Sequence, residues 1–152
     1  MAEFVVNGLP LPELLVELLQ QNRWQHPGDD VIRQLIPYLR EPVDFLQSVE
    51  KMCFESPGFL ADDPIISTKF HLVRGSEKSI PIDLPWLDVE QMVFLAVNRI
   101  PGDDVGIALD YRADWSDPRV VASNIWNVPK GVYCIWQEVT PTFSHFAMLL
   151  GL

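Results

Sequence analysis

The chain has 152 residues, of which 48% are hydrophobic and 21% are charged, and its formal net charge is −10. This length fits one domain, residues 1–152, with an adequate core, and the composition excludes a disordered chain. The negative charge opposes binding to nucleic acid or anionic lipid and favours a basic partner, although solubility alone would also explain it.

The N-terminus, MAEFVVNGLPLPELL, lacks the basic and continuous apolar regions of a secretory signal. No run approaches the roughly 20 apolar residues that a membrane span requires. We therefore expect a cytoplasmic protein that contacts no membrane. Cys53 and Cys134 have apolar neighbours and match no zinc or redox spacing, so they are predicted to be buried free thiols.

Three short helices are predicted in the N-terminal half. The first spans about residues 11–22, where leucines recur at helical spacing. The second begins at an aspartate cap, Asp29 or Asp30, and is kinked or ended by Pro37. The third opens at Pro42.

The apolar residues behind Pro42 share one helical face: Val43, Phe45, Leu46, Val49 and Cys53. The breaker sequence Ser56-Pro57-Gly58 is predicted to close this third helix. Residues 56–85 mix turn residues with an ambiguous apolar run, which predicts a mobile connector.

The C-terminal half has the pattern of successive strands. Residues 91–98 are apolar on both faces, as in a central strand. In residues 105–111, large apolar residues alternate with Gly106, Ala108 and Asp110. The small residues allow close approach by either a packed helix or a ligand, and we favour the helix.

Further strands are predicted at residues 119–126 and 132–139, followed by a short helix that Thr140 caps, Pro141 starts and Gly151 ends. The turns between strands are short, which favours antiparallel pairing. The predicted fold is therefore α+β, with an antiparallel or mixed sheet of about four to six strands flanked by helices.

No standard catalytic or nucleotide-binding motif occurs. Five carboxylates could converge near one end of the sheet: Asp103, Asp104, Asp110, Asp114 and Asp117. Such a cluster can bind a divalent cation or share a proton. The simpler interpretation, which we favour, is turn caps and a solvated loop partly neutralised by Arg112 and Arg119, and no cofactor or metal is expected.

Trp115 differs from the other tryptophans because it lies between acids in a loop. An exposed tryptophan ringed by charge is typical of protein interfaces. The alternative is that it folds back over the sheet edge. The three histidines, His26, His71 and His145, have no sequence-adjacent nucleophile and are weak acid–base candidates.

Several segments resemble bacterial members of the SUKH superfamily: LPWLDVE from Leu84, GDDVGIALDYR from Gly102, DPRVVA from Asp117, and the Trp136 strand with PTFSHFAMLLGL from Pro141. The resemblance implies an α+β protein-binding scaffold, and many relatives are thought to neutralise a toxin encoded nearby by covering its active site. It also implies a turn at Gly102 and Asp103, a strand-end acid at Asp110, and core roles for Trp136 and Phe143. Trp115 departs from the family pattern.

The sequence thus predicts a non-enzymatic module that binds a basic protein partner, such as a toxin domain. The predicted partner-binding residues are Asp103, Asp104, Asp114, Trp115 and Asp117. The alternatives are a regulatory scaffold unrelated to toxins and, less favoured, a metal-dependent enzyme built on the carboxylate cluster. The pattern carries no signal for an oligomeric state.

Overall fold

The computed structural model describes residues 4–39, 41–61, 84, 87, 91–100, 105–124 and 136–152, with residues 57–61 and 124 described by their backbone only. Within these ranges the helices are α1 (Glu13–Gln20), α2 (Asp29–Leu35), α3 (Val49–Ala61) and α4 (Phe143–Leu149). The strands are β1 (Val5–Val6), β2 (Leu9–Pro10), β3 (Val43–Phe45), β4 (Met92–Asn98), β5 (Val105–Asp110), β6 (Arg119–Asn124) and β7 (Trp136–Thr140). None of the helices in these ranges is long and apolar enough to cross a bilayer.

Five strands form one antiparallel sheet in the order β3-β4-β5-β6-β7, and β1 and β2 form a separate hairpin. The predicted α+β class, the sheet of about four to six strands and the C-terminal helix are confirmed. Strand β5 is central and every one of its residues is buried. Burial on both faces explains why apolar residues occupy nearly every position of β4 and β5.

An aromatic side chain of β4 occupies the space beside Gly106 of β5. A Cβ atom at position 106 would lie 3.0 Å from Cε1 of Phe94, so glycine leaves room for that ring. The Phe94 ring in turn lies 6.1 Å from the ring of Trp136, centroid to centroid. The Phe94 ring of the neighbouring strand, rather than the expected helix, therefore makes the close approach to Gly106.

Trp24 packs on the opposite face of the sheet. The sequence pattern did not identify it as a core residue. Its ring stacks on Phe45 at 4.7 Å and meets Phe143 of α4 at 5.6 Å. Its indole N–H donates to the Leu46 carbonyl oxygen at 3.1 Å. One side chain thus connects the segment after α1 to both the edge strand β3 and α4.

The predicted third helix is wrong at its start and at its end. Val43–Phe45 pairs with β4 as strand β3, and the helix begins at Val49. Val43 and Phe45 are buried while Asp44 is exposed, and over only three residues this alternation also satisfies a helical stripe. Residues 56–58 continue the helix, which ends at Ala61.

Ser56 has a specific place in α3 that accounts for its burial. Its hydroxyl accepts a hydrogen bond from the Phe94 N–H at 3.0 Å, beyond the point where β3 stops pairing with β4. The helix therefore satisfies part of an open strand edge. Cys53, on the same helix, is exposed rather than buried as predicted, and Cys134 lies outside the described residues.

Two predicted caps are replaced by neighbouring residues. Gly28, with φ of 116°, precedes α2, and neither Asp29 nor Asp30 acts as its cap residue. Helix α2 ends at Leu35, before Pro37, as predicted. Thr142 caps α4 by accepting the His145 N–H at 3.1 Å, while Thr140 ends β7. The remaining predictions for residues 62–83, which include His71, lie outside the part of the chain that the structure describes.

Candidate functional site

The Trp115 loop, residues 111–118, joins β5 to β6 and carries three of the five predicted partner-binding residues. Asp110 and Arg119 face each other where the two strands meet the loop. The Tyr111 N–H donates to the Gln91 carbonyl oxygen at 2.9 Å, which fixes the first loop residue to the start of β4. The loop therefore leaves the sheet from a hydrogen-bonded base.

A buried carboxylate closes this base. Asp110 is fully buried, and its oxygens accept from the Arg112 side chain at 2.9 Å and from Nη2 of Arg119 at 2.6 Å. Burial by itself would raise the pKa of Asp110, but the hydrogen bonds from Arg112 and Arg119 outweigh it and hold that pKa below its usual range. Asp110 is thus a buried anion: its pairing with Arg112 and Arg119 agrees with the simpler interpretation, but its burial differs from the solvated position expected there.

Asp114 shapes the tip of the loop. Its Oδ1 accepts from the Ser116 N–H at 2.8 Å, the Ser116 hydroxyl at 2.8 Å and the Asp117 N–H at 3.2 Å. This is the local turn that aspartate side chains commonly form with the backbone that follows. The Ser116 hydrogen bonds lower the pKa of Asp114, so the exposed side chain carries a full negative charge near neutral pH.

Asp117 connects the loop to the C-terminal helix. Its Oδ1 accepts from the Ser144 N–H at 3.0 Å, at the N-terminus of α4. A carboxylate at this place satisfies a free helix N–H and interacts favourably with the helix dipole. The loop and α4 are therefore held together through one side chain.

Trp115 projects from the loop that these three aspartates shape. It is 53% exposed, and its ring meets Tyr111 edge-on at 6.3 Å with an interplanar angle of 79°. Tyr111 is fully buried, and its hydroxyl donates to the Pro10 carbonyl oxygen at 2.8 Å. Trp115 thus rests against a fixed neighbour while about half of its surface faces solvent.

Asp103 and Asp104 lie outside the described residues, so their part in the surface stays a prediction. Val105 starts β5 and Asp110 ends it, at the base of the Trp115 loop. The six residues of β5 place its two ends about 20 Å apart. The described part of the candidate site is therefore Asp114, Trp115 and Asp117.

Outside the loop, the described ranges include two of the three histidines, His26 and His145. No group of three or more His, Cys, Asp or Glu side chains in these ranges is arranged to bind a metal ion. His26 accepts the Gly28 N–H at Nδ1, and its Nε2 lies 3.4 Å from Asp29. His145 is exposed on α4.

A second polar cluster, which the sequence did not predict, connects α2 to the sheet. Arg99 donates to both carboxylate oxygens of Asp29 at 3.1 Å, to Asp44 at 2.7 Å and to the Val43 carbonyl oxygen at 2.9 Å. Hydrogen bonds to Asp29 and Asp44 raise the pKa of Arg99, and the bond from Arg99 lowers that of Asp29. Residues 29, 44 and 99 are too far apart in sequence for a local pattern to reveal this cluster.

A small pocket of about 120 Å³ lies beside this cluster. Its lining mixes apolar and charged side chains: Asp29, Ile32, Arg33, Leu39, Glu41, Pro42 and Val43. Two of the charged groups already have partners, because Asp29 binds Arg99 and Arg33 binds Asp30 at 2.8 Å. The pocket therefore has less free charge than its composition suggests.

Comparison of the chain with models of known protein families, with curated proteins and with solved structures found no match.

Proposed function

We propose that this protein is a non-enzymatic module that binds a basic protein partner through the Trp115 loop. The observation that carries the proposal is the exposed indole of Trp115, held edge-on against a buried tyrosine in a loop with hydrogen bonds at its base, tip and far side. The resemblance to the SUKH superfamily supports a toxin domain as the partner, neutralised by covering its active site.

The fixed shape of the loop favours binding. A flexible loop loses conformational entropy when a partner orders it, which subtracts from the affinity. Here the Asp110, Asp114 and Asp117 carboxylates already hold the backbone before a partner arrives. Tryptophan contributes a large contact area with few rotatable bonds, which is why it is common among residues that dominate binding.

The charges around Trp115 favour a cationic partner. Asp114 is exposed and Asp117 is half-buried, whereas the two arginines nearest in sequence, Arg112 and Arg119, bind the buried Asp110. The whole chain carries a net charge of −10. Such a field accelerates the approach of a basic protein and repels an acidic one.

Trp115→Ala should weaken binding to the proposed basic protein partner by about 2 kcal/mol or more, about 30-fold in Kd. The indole is half exposed, so the fold should stay intact. Phe54→Ala is the matched control, because Phe54 is a 72% exposed aromatic residue on α3. Titration calorimetry measures both affinities. Equal affinities for wild type and Trp115→Ala would remove this loop from the interface.

Asp114→Asn and Asp117→Asn should mainly slow association and reduce its salt dependence, because exposed charges act at long range and are screened by salt. Asparagine keeps the Oδ1 acceptor that the turn and the α4 contact use, so the change removes charge while preserving the hydrogen bonds. Stopped-flow association rates over a salt series measure the effect.

Glu17→Gln on the exposed side of α1 removes the same charge away from the loop and serves as the control. Its association rate should stay closer to that of wild type at every salt concentration. If Glu17→Gln slows association as much as Asp114→Asn, the steering comes from net charge and not from the loop.

A further inference from the structure

The outer face of α4 also exposes apolar side chains beside the Trp115 loop. Phe143, Phe146 and Ala147 point into the core, so the other side of this amphipathic helix faces solvent. That side presents Met148, 64% exposed, and Leu149, 43% exposed, with Ser144 and His145 beside them. Of these four side chains, His145 is the one that carries an ionisable group.

In the described ranges, two groups of large exposed apolar side chains lie on neighbouring elements: Val5 with Phe54 on β1 and α3, and Trp115 with Met148 and Leu149. Among the described residues, the large exposed ones are Val5, Phe54, Ile100, Trp115, Met148 and Leu149. Three of these lie on the Trp115 loop and on α4, which the hydrogen bond between Asp117 and the Ser144 N–H joins directly. Apolar residues grouped on neighbouring elements indicate an interaction surface more strongly than single exposed residues do.

The distances allow one partner to cover both elements. Trp115 lies two residues from Asp117, and Met148 lies one helical turn beyond Ser144. At about 3.5 Å per extended residue and about 1.5 Å per helical residue, the path from Trp115 through the Asp117–Ser144 contact to Met148 is about 20 Å or less. A standard interface covers about 800 Å² on each partner, a patch about 30 Å across.

We infer that the outer face of α4, centred on Met148 and Leu149, is the apolar continuation of the Trp115 surface and is covered by the same basic protein. This inference rests on the proposed function. The charge arrangement fits a basic occupant, since the acidic groups Asp114 and Asp117 lie on one side of an apolar patch whose helix has no acidic or basic residue in its first or last turn. Methionine suits this role because its unbranched side chain adapts to the shape of a partner.

Photo-crosslinking in the native cell tests whether one protein covers both elements. The crosslinking amino acid p-benzoylphenylalanine replaces Ala113 on the loop, Leu149 on α4 or, as control, Phe54 on α3; all three side chains are exposed. The expected result is one basic protein attached at positions 113 and 149 but not at 54. Attachment at 113 alone would overturn the α4 inference and leave the proposed function standing. Attachment at 54 alone, or at no position, would overturn both.

Affinity measurements with that captured protein, purified, test the chemistry of the contact. Met148→Ala should weaken binding about fivefold to tenfold, and Met148→Lys should weaken it further because a cation then faces a basic surface. Met148→Glu should bind better than Met148→Lys, and the gap should shrink at high salt. Unchanged affinity in Met148→Ala and Met148→Lys, or weaker binding of Glu than of Lys, would contradict the inference. Met148 is largely exposed, and circular dichroism checks that each variant is folded.

Discussion

Trp24→Ala should destabilise the protein by about 4 kcal/mol, the usual cost of removing a buried tryptophan. The substitution empties the space between Phe45 of the edge strand and Phe143 of α4, both of which lose a ring contact. It also leaves the buried Leu46 carbonyl oxygen without the indole N–H. Urea unfolding followed by circular dichroism measures the loss as a lower transition midpoint.

Two matched variants separate the contributions at Trp24. Trp24→Phe keeps an aromatic ring between Phe45 and Phe143 but removes the hydrogen bond to Leu46, so it should cost about 1 to 3 kcal/mol. Trp115→Ala removes the same side chain from an exposed position and should change stability by about 0.5 kcal/mol or less. A loss below about 1 kcal/mol in Trp24→Ala would show that this side chain does not close the core.

The part of the fold that the sequence predicted well is the part with strong local periodicity. Residues 105–110 alternate large and small residues over a whole strand, and the apolar run at 92–98 is too continuous for an exposed element. The C-terminal helix combines an apolar stripe with a terminal glycine at φ of 80°, although its cap is Thr142 and not the predicted Thr140. Each of these signals lies within the element itself.

The secondary-structure prediction failed where a strand is too short for its alternation of buried and exposed residues to differ from a helical pattern. Strand β3 has three residues, and its buried-exposed-buried pattern is compatible with the helix that was predicted. The hairpin of β1 and β2 was missed although Asn7-Gly8 at its turn, with φ of 54° and 74°, is a strong hairpin signal. Strands of two residues gave no alternation to support that signal.

The sequence indicated which types of residue surround Trp115 but not the hydrogen bonds that join distant parts of the chain at the candidate site. The pattern of acids around Trp115 was compatible with an exposed indole or with one folded back over the sheet edge, and the structure has it 53% exposed with one contact to Tyr111. The contact from Asp117 to Ser144 joins residues 27 positions apart, and no local pattern predicts it. The same limit applies to Arg99, whose carboxylate partners lie 55 and 70 residues away.

Asp110→Asn should destabilise the protein by about 3 kcal/mol at neutral pH, because it removes the buried anion that two mostly buried guanidinium groups bind. Arg112 and Arg119 are only 12% and 14% exposed at the side chain. Breaking a buried ion pair usually costs about 3 to 5 kcal/mol of stability. We expect the low end of that range because Glu138 lies 3.9 Å from Arg119 and compensates in part for the lost charge. Asp44→Asn, the same change at an exposed ion pair whose arginine also binds Asp29, should cost much less.

The stability difference between wild type and Asp110→Asn should depend on pH in a defined direction. The carboxyl of Asp110 has a lower pKa in the folded protein than its value of about 3.9 in an unfolded chain. Folding therefore gains stability from the ionised group above the unfolded pKa, and this gain is lost as pH falls through the folded pKa. Urea unfolding of both proteins from pH 7 down to about pH 2 should show the two stabilities converging below about pH 4. A difference that stays constant over this range would mean that the charge of Asp110 does not stabilise the base of the Trp115 loop.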